Sequence, residues 1–282
     1  MIPTGSGRVA GVMGWPIGHS LSPRIHGYWL AQYDVDGVYV PLPVRPDRVA
    51  SALAALVTLG FRGANVTIPY KEVVIPGLDA VSDTARAIGA VNTVVVQDDG
   101  RLYGTNTDAY GFMEALRQGA PHWHATAGPA LVLGAGGAAR AVAHALLTGG
   151  MPLVRVANRD RARADRLAAD IGGAIQTVDW ATRAGAAGDV AVLVNATSLG
   201  MTGQPPLDMP LEALNSSAVV VDIVYRPLET PLLKAAQGRG HVTVDGLGML
   251  LHQARPGFAA WFGVDPAVTP ALRAFVLAEM RA

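Results

Sequence analysis

Ala130-Leu131-Val132-Leu133-Gly134-Ala135-Gly136-Gly137-Ala138-Ala139-Arg140, continued by residues 141–147, is the stretch that decides the fold. Its first four residues are apolar and uncharged, as in a buried strand, and the Ala/Leu-rich continuation has apolar residues at helical spacing. Between them stands G-x-G-x-x-A in its strand-to-helix setting. Gly134 permits the tight turn, Gly136 lets backbone approach a pyrophosphate, and Ala139 allows close packing of helix on strand. Gly134, Ala135, Gly136, Gly137 and Ala138 are therefore expected to form a dinucleotide site; the alternative is an ordinary tight turn. The next apolar run, 153–157, lacks the terminal acidic residue that would accept from a ribose 2′-hydroxyl and ends in Asn158-Arg159. A guanidinium there suits a 2′-phosphate, so the cofactor expected is NADP. Asp160 opposes this only if its carboxylate faces the phosphate, and it can instead cap the helix predicted over 161–171.

Outward from this turn, short apolar runs alternate with longer amphipathic ones. Strands are predicted at 9–12, 38–41, 63–66, 91–96, 190–194, 219–223 and 242–244, and helices at 23–33, 46–59, 110–118, 138–147, 161–171 and 211–214. The alternation reads as an α/β fold with parallel sheets. A chain of 282 residues suggests two domains at roughly 150 residues each. Residues 122–129, polar and Gly/Pro-containing, form a candidate seam just before the glycine turn.

Composition excludes whole classes of activity. Lys+Arg 22 balances Asp+Glu 22, leaving no electrostatic footprint for nucleic acid or an anionic membrane. Cys 0 removes disulfides, thiolate nucleophiles and sulfur-ligated zinc. His122 and His124 lack a suitably spaced third ligand, so no metal is expected. Mean hydropathy is +0.29, yet no run approaches the roughly 18 apolar residues of a membrane span. Residues 1–17 lack the apolar core of a signal peptide. A cytoplasmic enzyme without nucleic-acid or membrane partners, monomer or homodimer, is expected to take a small-molecule substrate.

The remaining chemistry lies in six motifs. They are Gly14-Trp15-Pro16-Ile17-Gly18-His19-Ser20-Leu21-Ser22-Pro23, Gly63-Ala64-Asn65-Val66-Thr67-Ile68-Pro69-Tyr70-Lys71-Glu72, Gly89-Ala90-Val91-Asn92-Thr93, Gly104-Thr105-Asn106-Thr107-Asp108, Asn195-Ala196-Thr197-Ser198-Leu199-Gly200-Met201 and Asp245-Gly246-Leu247-Gly248-Met249-Leu250-Leu251-His252-Gln253. The short-chain reductase pattern Tyr-x-x-x-Lys is absent, and glutamyl-tRNA reductases need a cysteine this chain lacks. In order and across most of the chain, the six motifs resemble those of the shikimate dehydrogenase family.

That resemblance implies reversible NADP-linked reduction of 3-dehydroshikimate to shikimate. It also implies an N-terminal α/β substrate domain over 1–109, completed by the C-terminal helices at 247–282, and a Rossmann-type NADP domain over 110–246. Carried over by motif, Ser20 and Ser22 resemble the pair that grips the substrate carboxylate, and Thr67, Asn92 and Gln253 resemble substrate contacts, with Tyr225 a further pocket residue. Lys71 resembles the catalytic group, with Asp108 beside it in function. Thr197, Met201, Gly246 and Met249 join Asn158, Arg159 and the glycine turn on the cofactor side.

Each residue has a plainer alternative. Ser22 before Pro23 suits a helix N-cap, and Asp108 could cap a helix starting near Tyr110. Asn92 could serve a turn, and Gln253 could be a solvated helix position. Lys71 would be an odd surface residue, because a helical turn starting at Pro69 would place its cation at a positive helix end. The rival readings are a quinate/shikimate dehydrogenase using NAD and a cofactor-sensing protein that has lost catalysis.

Overall fold

The computed structural model describes residues 2–281. Short runs rich in Val, Ala and Gly give the first sheet: β1 (Arg8–Gly14), β2 (Gly37–Pro43), β3 (Gly63–Val66), β4 (Ala80–Val81), β5 (Thr93–Val96) and β6 (Leu102–Thr105), in the order β2-β1-β3-β5-β6-β4. Helices α1 (Ser22–Gln32), α2 (Val49–Thr58) and α3 (Asp83–Ile88) lie between them in the chain. The sheet is mixed, not parallel as the alternation suggested: β5 runs antiparallel to both β3 and β6. The reason is local. Gln97-Asp98-Asp99-Gly100-Arg101 closes a tight turn, with Gln97 N–H donating to Arg101 O at 2.9 Å, and so short a link can join only antiparallel strands.

Helix α4 (Asp108–Gly119) is followed by β7 (Ala130–Leu133), α5 (Gly137–Thr148), β8 (Val154–Asn158), α6 (Arg161–Ile171) and β9 (Ile175–Asp179) in alternation, then by β10 (Val192–Asn195) and β11 (Val219–Asp222) with no α-helix among the described residues between these last three strands, and by α7 (Pro231–Gly238) and β12 (Thr243–Val244). The second sheet is parallel throughout, in the order β12-β11-β10-β7-β8-β9. Strand order reverses between β7 and β10, and a ligand crevice is expected beyond the C-terminal ends of strands at such a switch point. Residues 211–214 form a turn, not the predicted helix; Leu211 and Leu214 nevertheless enter the core beside β10 and β11.

Helices α8 (Gly246–Phe262) and α9 (Pro270–Arg281) end the chain. One compact unit comprises residues up to Thr107 together with those from Gln253 onward, and the other runs from Asp108 to His252. Residues 122–129 therefore lie inside the second unit. In the first unit, Trp261 Nε1 donates to Val94 O and Trp29 Nε1 to Ala267 O, both at 3.1 Å, so two large apolar side chains are buried with their one donor satisfied. His26 is enclosed there, stacked on Tyr39 at 3.9 Å between ring centres. Burial lowers its pKa to about 3, which keeps the ring neutral.

Candidate active site

In the first unit, β1 and β3 are parallel neighbours, so the loops leaving their C-terminal ends run side by side. Thr67 N–H donates to Met13 O at 2.9 Å, and Trp15 N–H to Ile68 O at 3.2 Å. The β1 loop carries Ser20 and leads into Ser22, the first residue of α1. Ser22 is not the N-cap. Leu21 holds that position and its carbonyl accepts from Arg24 and Ile25, leaving the Ser22 side chain without a capping role. Ser22 is buried and Ser20 half-buried, the Ser20 Oγ accepting from Ser22 N–H at 3.3 Å.

The helical turn expected from Pro69 is present only as one turn, which does not continue as an α-helix. The Lys71 carbonyl accepts from Val91 N–H at 2.7 Å, a tertiary bond that takes the oxygen a helix would offer to Ile75. Val74 N–H to Tyr70 O (3.0 Å) closes that turn, and Ile75–Gly77 adds a short 3-10 turn. The expected helix end therefore cannot mark out Lys71. Instead the bond to Val91 fixes this half-buried residue next to the segment that holds Asn92.

Asn92 is buried at the centre of a neutral relay. Its Oδ1 accepts from Thr107 N–H (2.8 Å) and from the Thr93 hydroxyl (3.0 Å), and its Nδ2 donates to Thr107 Oγ1 (2.9 Å) and to Gln253 Oε1 (3.3 Å). Thr107 Oγ1 donates in turn to Gln253 O at 2.8 Å. On the other side, Asn65 Nδ2 donates to Asn92 O and to Thr93 Oγ1, while its Oδ1 accepts from the Tyr39 hydroxyl at 2.6 Å. Burial pushes that phenol well up, and the Ser22 side chain partly counteracts it. The backbone donor at Thr107 and the backbone acceptor at Asn92 fix which way both amides point. Ser20, Ser22, Thr67, Lys71, Asn92 and Gln253 are thus linked through the β1 and β3 loops, the start of β5, and α8. Asn65, Thr93 and Thr107 stood inside the quoted motifs without a role; alternating amides and hydroxyls before two buried strands were the available signal.

In the second unit, Gly134 has φ +113, and a Cβ there would lie 2.8 Å from Ala196 O. A Cβ on Gly136 would meet nothing within 4 Å, so this side of the turn is open. No side chain caps α5, whose first N–H groups are left for an anion. Asn158 and Arg159 follow at the end of β8. Arg159 is exposed and makes no ion pair among the described residues. The Asp160 carboxylate accepts from Arg163 N–H and caps α6. These groups fit a dinucleotide carrying a 2′-phosphate.

Beyond β10, Thr197 bonds Asn195 Oδ1 through both its N–H (3.1 Å) and its hydroxyl (2.7 Å), and Met201 follows four residues later. Gly246 opens α8 where a Cβ would lie 2.3 Å from Ile223 O, so only glycine fits, and Met249 is buried one turn on. Tyr225 follows β11, its phenol pushed up by burial and partly drawn back by Arg226. Asp108 is buried in the first turn of α4. Among the described residues, no group of three or more His, Cys, Asp or Glu is placed to hold a metal, and no helix is long and apolar enough to cross a membrane.

Two family models match the chain: a shikimate dehydrogenase substrate-binding domain over residues 12–94, and shikimate/quinate 5-dehydrogenase over residues 120–247. The chain is 58% identical over 274 residues, 97% of its length and 99% of the relative's, to a protein named shikimate dehydrogenase (NADP(+)) from Paramagnetospirillum magneticum. Shikimate 5-dehydrogenase from Thermus thermophilus, solved with NADP(H) and shikimate, is 39% identical with TM-score 0.86, covering 97% of this chain and 99% of that one. Quinate dehydrogenase from Corynebacterium glutamicum, solved with NAD, is 35% identical with TM-score 0.89, covering 96% and 99%. The chain belongs to the shikimate dehydrogenase family.

Proposed function

We propose that the protein catalyses the reversible NADP-dependent reduction of 3-dehydroshikimate to shikimate, as a cytoplasmic monomer or homodimer without a metal. The observation that carries this reading is the linkage of two serines, Thr67, Lys71, Asn92 and Gln253 through one set of first-unit loops, in a chain 58% identical to a protein named for this activity. Bound NADPH supplies the hydride that adds to the substrate ketone carbon. Lys71 holds a proton at Nζ, polarises the carbonyl as an ammonium, and gives that proton to the oxygen as the alcohol forms. Asp108 accepts from a substrate hydroxyl and orients the ring. Ser20 and Ser22 donate to the carboxylate, and Thr67, Asn92, Gln253 and Tyr225 hold the remaining polar groups. The Gly134–Ala138 turn and the α5 N-terminus receive the pyrophosphate. Asn158 and Arg159 read the 2′-phosphate, and Thr197, Met201, Gly246 and Met249 complete the cofactor site.

Likeness to a quinate dehydrogenase solved with NAD favours a second reading, quinate oxidation with NAD. Arg159, where an NAD enzyme would hold an acid, speaks against it. Steady-state rates with shikimate and quinate, each with NADP and NAD, test the two. The highest kcat/KM is expected for shikimate with NADP, and a preference for quinate with NAD would reverse the assignment.

A further inference from the structure

Strand β11 ends its run of buried valines in Asp222, a carboxylate with 0% exposure. Its three protein donors come from three segments. Asn195 Nδ2, at the end of β10, and Val224 N–H, in the loop leading to Tyr225, each reach Oδ1 at 3.0 Å. The Thr230 hydroxyl, at the N-cap of α7, reaches Oδ2 at 2.7 Å. Asn195 is oriented without ambiguity: its Nδ2 also donates to Leu199 O (3.1 Å), while its Oδ1 takes both Thr197 donors. The loops are laced together further on by Ile223 N–H to Asn195 O (3.0 Å) and Thr202 N–H to Arg226 O (2.9 Å). A carboxylate is the side chain suited to this point, because every group converging on it donates. An amide would turn a donor toward the Thr230 hydroxyl, which already accepts from Leu233 N–H at 3.3 Å.

We infer that Asp222 is a positioning residue that sets two ligand contacts at once, Thr197 through Asn195 and Tyr225 through Val224. The inference rests on the proposed roles of Thr197 toward the cofactor and Tyr225 toward the substrate. A single carboxylate then couples the geometry of both binding loops, and its loss weakens both ligands together.

The test is steady-state kinetics on the full chain with Asp222→Asn and Asp222→Ala, beside Thr197→Val and Tyr225→Phe. Asp222→Asn, isosteric and lacking only the charge and the Thr230 acceptor, is expected to raise KM for NADP and for shikimate about 3- to 5-fold each. Asp222→Ala should raise both about 10-fold or more, with kcat falling less than KM rises. A merely structural role would reduce the active fraction, lowering kcat and leaving both KM values in place. Both KM values within 1.5-fold of wild type in Asp222→Asn, or a rise in only one, would overturn the inference; this variant carries the test alone should Asp222→Ala not fold. Unchanged NADP KM in Thr197→Val together with unchanged shikimate KM in Tyr225→Phe would instead overturn the roles on which it rests.

Discussion

The two units anchor their loops with opposite chemistry. In the first, a buried relay of amides and hydroxyls runs from Tyr39 through Asn65, Thr93 and Asn92 to Gln253, the last two proposed substrate contacts, and every member is neutral. In the second, one buried carboxylate, Asp222, gathers the loops beyond β10 and β11. A neutral relay presents the same hydrogen bonds at any physiological pH, whereas a buried acid ties its loops to a proton. The unit that holds Lys71, the proposed proton donor, is thus fastened by groups that stay neutral, and the titratable anchor Asp222 lies in the second unit.

The sharpest way to break this division is Lys71→Ala. Turnover should fall roughly 10²–10⁴-fold, the usual worth of a positioned proton donor, while NADP affinity, a second-unit property, stays as in wild type. Stopped-flow turnover and a fluorescence titration of NADPH read the two separately. Near-normal turnover would move the acid–base role off Lys71.

Next in size is the pH response of stability. Burial pushes Asp222 up to about 6 from an ordinary 3.8, against the pull of its Thr230, Val224 and Asn195 donors. Below 3.8 the group is protonated folded or unfolded and costs nothing. As pH rises to 6 only the unfolded chain releases the proton, so its contribution to stability falls by about 3 kcal/mol and is then flat. Exposed carboxylates such as Asp165 and Asp189, held low by Arg161 and Arg155, pull the other way. The clean measurement is therefore the urea-unfolding difference between wild type and Asp222→Asn across pH 4–7. Parallel curves would contradict a buried, raised carboxyl.

Ser20→Ala should raise the substrate KM about 10- to 150-fold, the loss of roughly 1.5–3 kcal/mol for a hydrogen bond to a charged group, with kcat largely kept. An unchanged KM would put the carboxylate elsewhere. The smallest effect belongs to the second unit: Arg159→Ala should weaken NADP about 10- to 100-fold and change NAD little. Equal losses for both cofactors would make Arg159 a support of the turn and not a reader of phosphate.

Much of this was legible because it is local. The glycine turn lies between a strand and a helix that its own letters predict, and 161–171 is found as the helix α6 (Arg161–Ile171) with Asp160 as its cap. The failures arise in individual hydrogen bonds that periodicity does not record, two of them local and one tertiary. The mixed first sheet follows from a five-residue turn at 97–101, the halt after one helical turn beyond Pro69 from a carbonyl captured by Val91, and the uncapped α1 start from Leu21 taking the expected place of Ser22. Asp222 closing a valine run was visible in the letters, yet its partners lie 27 and 8 residues away, and periodicity carries no record of such convergence.

Transfer of deuterium tests the proposed reaction most directly. With 3-dehydroshikimate and NADPH deuterated at both C4 positions, the shikimate formed should carry one deuterium, on the ring carbon that bears the new hydroxyl, as read by mass spectrometry and NMR. Unlabelled shikimate, or no shikimate while the protein binds NADPH, would contradict hydride transfer by this enzyme.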